Sequence, residues 1–305
     1  MLLTTVLVLL VLMGVLAPLG SYGWWAGWYG EKLPEKPPNP DPQESPAKIY
    51  VVYLTGIGGI SPDTYPPMET EFLRQLAAAL PEAEIVDDVF PYSNDNRALT
   101  GQRVFGWLWG LLESLKGRKL LGALSFIINI RNLWQVLVSS DDRFGPLYNY
   151  ASAELVLHKL TAHGYVRGSG VPVTFIGYSG GGQVSLGTAP FIQEALGAPV
   201  HLISLGGVMS GEGGVLTLGS LTHLYGDRDM TQRLGYIVFP KRWRWFSATS
   251  WNRARQRGII RRVDMGAMGH TGRGSYLDAE AMLAGESHLS RTLNEMVSLI
   301  QKQAS

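Results

Sequence analysis

Three residue types able to carry nucleophilic catalysis follow one another along the chain, each in a glycine-marked turn. Ser179 lies in Gly177-Tyr178-Ser179-Gly180-Gly181. A β-branched and aromatic run over 173–176 precedes it, and a helix-compatible stretch over 183–196 follows. Strand, Gly-x-Ser-x-Gly and helix together make the context of a nucleophile elbow, in which a sharp turn lifts the serine hydroxyl clear of a sheet. A serine hydroxyl is a weak nucleophile until a neighbouring base takes its proton, and that base works best when a carboxylate orients it. Downstream, Gly226-Asp227-Arg228-Asp229 follows a strand-like run over 221–225. Asp229 is the expected acid, being far enough into the loop to turn towards a histidine. Asp227 is the alternative, with pairing to Arg228 or capping of a turn as its structural role. The expected base is His270, in the glycine-rich loop 265–272 after the last strand-like run, 259–263. His288, on a C-terminal helix, is the weaker choice, and His223 is too close to the acid within its own strand.

The negative charge that develops on an attacked carbonyl needs backbone donors aimed at it, each worth about 3 kcal/mol in the transition state. One donor is expected from Gly180, at the start of the elbow helix, where partial positive charge gathers. The second is expected from Gly56 or Ile57, in the loop Thr55-Gly56-Ile57-Gly58-Gly59 after the strand-like run 48–54. That loop lacks the lysine and Ser/Thr of a phosphate loop and the spacing of a dinucleotide fingerprint.

The elements that must position these groups read as alternating strands and helices. A helix is expected over 69–80, from apolar residues at Phe72, Leu73, Leu76 and Leu80, then a strand over 84–90. Strand, helix, strand suggests a parallel sheet. The segment 104–138, rich in Trp, Leu, Ile and Phe, reads as two inserted helices, as a lid, a membrane-resting face or a layer over the sheet. A polar loop is expected over 141–150, a helix over 151–163 and a strand over 200–205.

The flanks carry other expectations. Residues 2–19 are apolar apart from Thr4, Thr5, Gly14 and Pro18, near the ~20 residues that span ~30 Å of hydrocarbon. Trp24, Trp25, Trp28 and Tyr29 follow where an interfacial belt would sit. Residues 1–23 are therefore expected to be a single-pass membrane anchor, its orientation open, with a cleaved signal and a buried core helix as alternatives. Residues 24–47 read as an aromatic and Pro-rich linker. With Pro34, Pro37, Pro38, Pro40, Pro42 and Pro46, it extends at about 3.1 Å per residue. The catalytic domain is placed at 48–305, with its insertion at about 100–150. Between 241 and 262 there are eight basic residues and no acid, with Trp243, Trp245, Phe246 and Trp251 among them. This pattern suits an anionic membrane surface or an acidic ligand, and equally a solvated loop packed by its aromatics.

Composition narrows the function. With 17% charged residues and a net charge of +1, the chain lacks the basic excess that nucleic acid requires. It has no cysteine, hence no disulfide framework, thiolate chemistry or cysteine zinc site. No metal or other cofactor is expected.

From about residue 48 onward the chain resembles the α/β-hydrolase superfamily, with Gly177-Tyr178-Ser179-Gly180-Gly181, Gly226 to Asp229 and Gly269-His270 in that family's order of Ser, Asp and His. The likeness implies a mostly parallel sheet flanked by helices with an inserted helical cap, and Ser179, His270 and Asp229 as nucleophile, base and orienter. Thr55 stands where many members have histidine. The activity implied is hydrolysis of carboxylic esters, acyl or lipid-like, at a membrane. Acyl transfer by the same residues and a non-catalytic tethered binding module are the alternatives.

Overall fold

A computed structural model describes residues 11–28, 47–99, 122–211 and 213–304. Among these, six strands form one parallel sheet: β1 (Ile49–Leu54), β2 (Ala83–Val86), β3 (Val173–Tyr178), β4 (Val200–Leu205), β5 (Ser220–Tyr225) and β6 (Ile260–Asp264). Their order across the sheet is β2-β1-β3-β4-β5-β6. The chain steps outward from β1 to β2 and then crosses back to β3 on the other side of β1. The strand order therefore reverses between β1 and β3, and the carboxyl ends at such a reversal are where open α/β sheets bind ligands.

Both faces of the sheet are covered, so its central strands are apolar throughout rather than alternating. Every residue of β1 and β3 is buried. Tyr50, Val52 and Leu54 of β1 point to one face, where helices α3 (Gly122–Ser140), α4 (Gly145–Ala162), α5 (Gly181–Leu196) and α7 (Ser250–Gln256) pack. Ile49, Val51 and Tyr53 point to the other face, covered by α2 (Pro67–Ala79) and α8 (His288–Ala304). Helix α6 (Met230–Val238) follows β5 and leaves Met230, Leu234, Ile237 and Val238 exposed. A two-stranded ribbon, β7 (Met282–Leu283) and β8 (Glu286–Ser287), precedes α8.

The expected membrane anchor is corrected. Among the described residues no helix is long and apolar enough to cross a membrane, which overturns the single-pass N-terminal assignment for both fold and location. The apolar run is divided. Residues 11–16 are helical, a turn follows at Ala17-Pro18, and α1 (Leu19–Trp25) begins after it. Proline carries no amide hydrogen, so the helical ladder is interrupted there. One side of the segment packs inward. Ala17 and Ser21 are buried, Asn94 Nδ2 donates to Ser21 Oγ at 2.9 Å, and Tyr22 and Trp24 meet Phe144 and Tyr150 edge-on. Residues 1–10 and the proline-rich stretch lie outside the described residues.

Three smaller expectations differ. The second strand stops at Val86 instead of continuing to 90, because Asn96 takes over the backbone beyond it. Its Nδ2 donates to Asp88 O and its Oδ1 accepts from Phe90 N, at 2.9 and 2.7 Å. The polar loop over 141–150 is only a turn. Asp141 Oδ1 accepts from the amides of Arg143 and Phe144, and Pro146 then stands in the first turn of α4. Of the two helices expected over 104–138, α3 is described, and the rest lies outside the described residues.

Candidate active site

Ser179 immediately follows β3 with φ +52°, a left-handed conformation that costs a non-glycine residue energy. The turn that imposes it runs between neighbours with no room for side chains. A Cβ on Gly181 would lie 2.2 Å from Leu54 O, and one on Gly177 would lie 2.5 Å from Gly182 Cα. Glycine at both places lets β1, the elbow and the start of α5 approach one another.

All six strands run the same way, so the turns after β3, β5 and β6 emerge on one edge of the sheet. The turn after β5 and the loop after β6 are joined by backbone bonds, Asp227 N to Gly266 O at 2.8 Å and Arg228 N to Met268 O at 3.2 Å. This stitching brings Asp229 and His270 together. His270 Nδ1 lies 2.8 Å from Asp229 Oδ2, and His270 Nε2 lies 2.8 Å from Ser179 Oγ. An ionised carboxylate only accepts, so Nδ1 carries the proton. In the neutral ring Nε2 is then the lone pair, and the serine hydroxyl donates to it. Ser179, Asp229 and His270 thus meet in one relay. Asp227 is exposed and stands apart from it.

Asp229 is fully buried and saturated with donors. Besides His270, Tyr276 OH donates to Oδ2 at 2.7 Å, and Gln232 N, in the first turn of α6, donates to Oδ1 at 3.1 Å. Burial pushes its pKa up, but the hydrogen bond and charge of His270, with the bonds from Tyr276 and Gln232, outweigh burial and hold the carboxyl below its usual range. Tyr276 OH also accepts from Gly226 N at 2.8 Å, tying the acid to the turn that presents it. His270 is held on its backbone side, where Tyr178 OH donates to its carbonyl at 2.5 Å while the two rings stack.

The other histidines do different work. His223 bonds to Ser204 and Gln232, and burial pushes its pKa down to about 3, so it stays neutral. His288 is buried against Ser275 O.

Gly56 and Ile57, expected as oxyanion donors, lie close to the elbow that carries Ser179 and Gly180. A Cβ on Gly56 would lie 3.3 Å from Ser179 Cβ, and Ile57 Cγ2 and Val136 Cγ2 close over Gly180. The loop after β1 is held by a network that sequence reading missed. Tyr53 OH and Thr55 Oγ1 both donate to Glu69 Oε2, at 2.7 and 2.6 Å. Burial pushes the Glu69 carboxyl above its usual range, although both hydroxyls pull the other way. Tyr92 OH donates to Thr55 O at 2.8 Å. From α3, Asn132 Nδ2 donates to Ile57 O and Gly59 O, both at 2.8 Å. Three carbonyls of the loop thus accept from side chains, which fixes its backbone beside the serine. Among these side chains only Thr55 carries a sequence signal, its place in the glycine-rich loop. Tyr276, Glu69 and Asn132 carry no local signal, since each acts across a long sequence separation.

Ser179 itself is 5% exposed. Among the described residues no cluster of His, Cys, Asp and Glu is arranged to hold a metal ion. Compared with protein-family models and with curated proteins, the chain matches none.

Proposed function

We propose that the chain is a serine hydrolase of the α/β-hydrolase kind that cleaves carboxylic esters. The observation that carries this reading is the relay of Ser179 Oγ, His270 Nε2, His270 Nδ1 and Asp229 Oδ2, with both contacts at 2.8 Å and the serine at φ +52°. In the reaction His270 Nε2 takes the hydroxyl proton as Ser179 Oγ bonds to the ester carbonyl carbon. The carbonyl electrons move to oxygen, where the amides of Gly180 and of Gly56 or Ile57 meet the new charge. Collapse of this adduct breaks the bond to the alcohol oxygen, which leaves with the proton from His270. Water, deprotonated by the same imidazole, then releases the acid and restores Ser179. Asp229 keeps the proton on Nδ1 throughout and stabilises the imidazolium.

The apolar side chains of Ile57 and Val136 beside Gly180 favour an acyl group over a charged one at the reacting carbon. The test is labelling with a fluorophosphonate probe, which reacts with an activated serine. Labelling at Ser179 in the native protein, and its loss together with ester turnover in Ser179→Ala, is expected. Folded native protein that takes no label would support a non-catalytic binding module instead.

A further inference from the structure

The basic, tryptophan-rich segment is not part of the Ser179 site. It builds a separate cavity of about 580 Å³, within the range of small-molecule sites, lined by Tyr236, Trp243, Trp245 and Trp251 with four arginines, Arg242, Arg244, Arg255 and Arg262. Among the described residues no acidic side chain lines it. The nearest ion pair of the segment, Lys241 with Asp142, involves none of these arginines.

Arg242 is the anomaly. It is 1% exposed, yet among the described residues its Nε and Nη2 have no hydrogen-bond partner. Nη1 donates to Met209 O at 2.9 Å. The guanidinium is clamped between the rings of Tyr236 and Trp251, each with its centroid 4.2 Å away. A buried charge without its hydrogen bonds is costly. Here the plane of the guanidinium is fixed by the two rings, and its unused donors are Nε and one terminal nitrogen. Both are closed off from the surface, so Arg242 lends the cavity positive charge and orders its aromatic wall without presenting an open hydrogen-bonding edge. The exposed Arg244, Arg255 and Arg262 add a positive excess beyond what one carboxylate would neutralise, and the tryptophans offer apolar contact to whatever carries the anion.

We propose that this cavity binds a phosphate oxyanion borne on an apolar or aromatic body, with the exposed Arg244, Arg255 and Arg262 as its cationic contacts. Such a group occurs in soluble phosphate esters and in lipid headgroups, and the cavity chemistry is the same for both. The proposal is independent of ester hydrolysis at Ser179, because its test reads binding alone and is run equally on Ser179→Ala protein.

The experiment titrates the full chain calorimetrically with phenyl phosphate, with phenol as the neutral control, and sediments it with vesicles of phosphatidylcholine alone or containing phosphatidic acid. Saturable binding of phenyl phosphate without binding of phenol assigns a soluble ester. Binding only to the phosphatidic acid vesicles assigns a lipid headgroup. In either case the Arg244→Gln/Arg255→Gln double variant, both positions being exposed, is expected to bind about tenfold more weakly. Absence of binding in both formats, or native affinity in the double variant, overturns the proposal.

Discussion

At the scale of single residues, the site is a set of groups held where they would not rest alone. Ser179 occupies a left-handed backbone conformation that glycine adopts freely. Ser179→Gly is therefore expected to abolish ester turnover and to raise stability by about 1 kcal/mol, measured by urea unfolding. A midpoint at or below the native one would show that the turn stores no strain. Asp229 has a comparable dependence on its neighbours. Gly206, at φ +56°, leaves space for it, since a Cβ there would stand 2.7 Å from Asp229 Oδ2. Tyr276→Phe removes a donor from the carboxylate and an acceptor from Gly226 N. It is expected to lower kcat by about tenfold with little change in KM, the pattern of a residue that positions His270 through the acid rather than touching substrate.

At the scale of elements, the loop after β1 is positioned by its neighbours more than by its own sequence. Glu69 stands in the first turn of α2, which places an acid at the positive end of a helix. From there it collects the hydroxyls of Tyr53 and Thr55. Glu69→Ala leaves two hydroxyls without their acceptor at a buried site. Stability is expected to fall by about 1–3 kcal/mol. Ester turnover is expected to fall about tenfold through kcat, as the oxyanion donors lose their register. Glu69→Gln, which keeps an acceptor oxygen, is expected to recover most of both. Equal loss in the two variants would mean that charge, not hydrogen bonding, holds the loop. Helix α3 acts on the same loop through Asn132, so the described part of the insertion supports the site as well as covering the sheet.

At the scale of the whole molecule, an ionic cluster ties the β2 edge of the sheet to α4. Lys159 Nζ meets Asp88 Oδ2 at 2.5 Å, and His163 Nδ1 meets Glu84 Oε1 at 2.7 Å. His163 Nε2 adds an ionic contact to Asp88 Oδ1 at 3.3 Å, too poorly aligned for a hydrogen bond. Asp88, with Glu84, raises the His163 pKa from 6.5 to about 9 against the opposing effect of burial. A raised pKa stabilises the fold fully below about 6.5, and that contribution is lost as the pH climbs through about 9. Asp88 behaves in the opposite sense. Burial raises its pKa, but His163 and Lys159 prevail and lower it from 3.8 to about 2, so its contribution is lost only as the pH falls towards 2. His163→Gln is therefore expected to cost about 1–2 kcal/mol at pH 6, after screening at this half-buried position, and little at pH 10. Equal losses in thermal midpoint at both values would exclude the ionic account.

Features that are local or periodic can be read from the residues alone. The apolar runs that became β1, β3, β4 and β5 and the glycine-flanked serine were legible, because strand burial and tight turns are written in neighbouring residues. The elbow could be read for the same reason, since Gly177 and Gly181 report a steric demand within a few positions of Ser179. Which polar groups meet follows from the folded arrangement. Tyr276, Glu69 and Asn132 reach their partners across long stretches of chain, and Arg242 is buried against Tyr236, Trp251 and Met209 O only because packing has closed around it. The folded arrangement also decides the fate of the apolar N-terminal run. A hydropathy pattern describes how much surface avoids water, whereas the packing of Ala17 and Ser21 against the domain depends on residues far away in sequence.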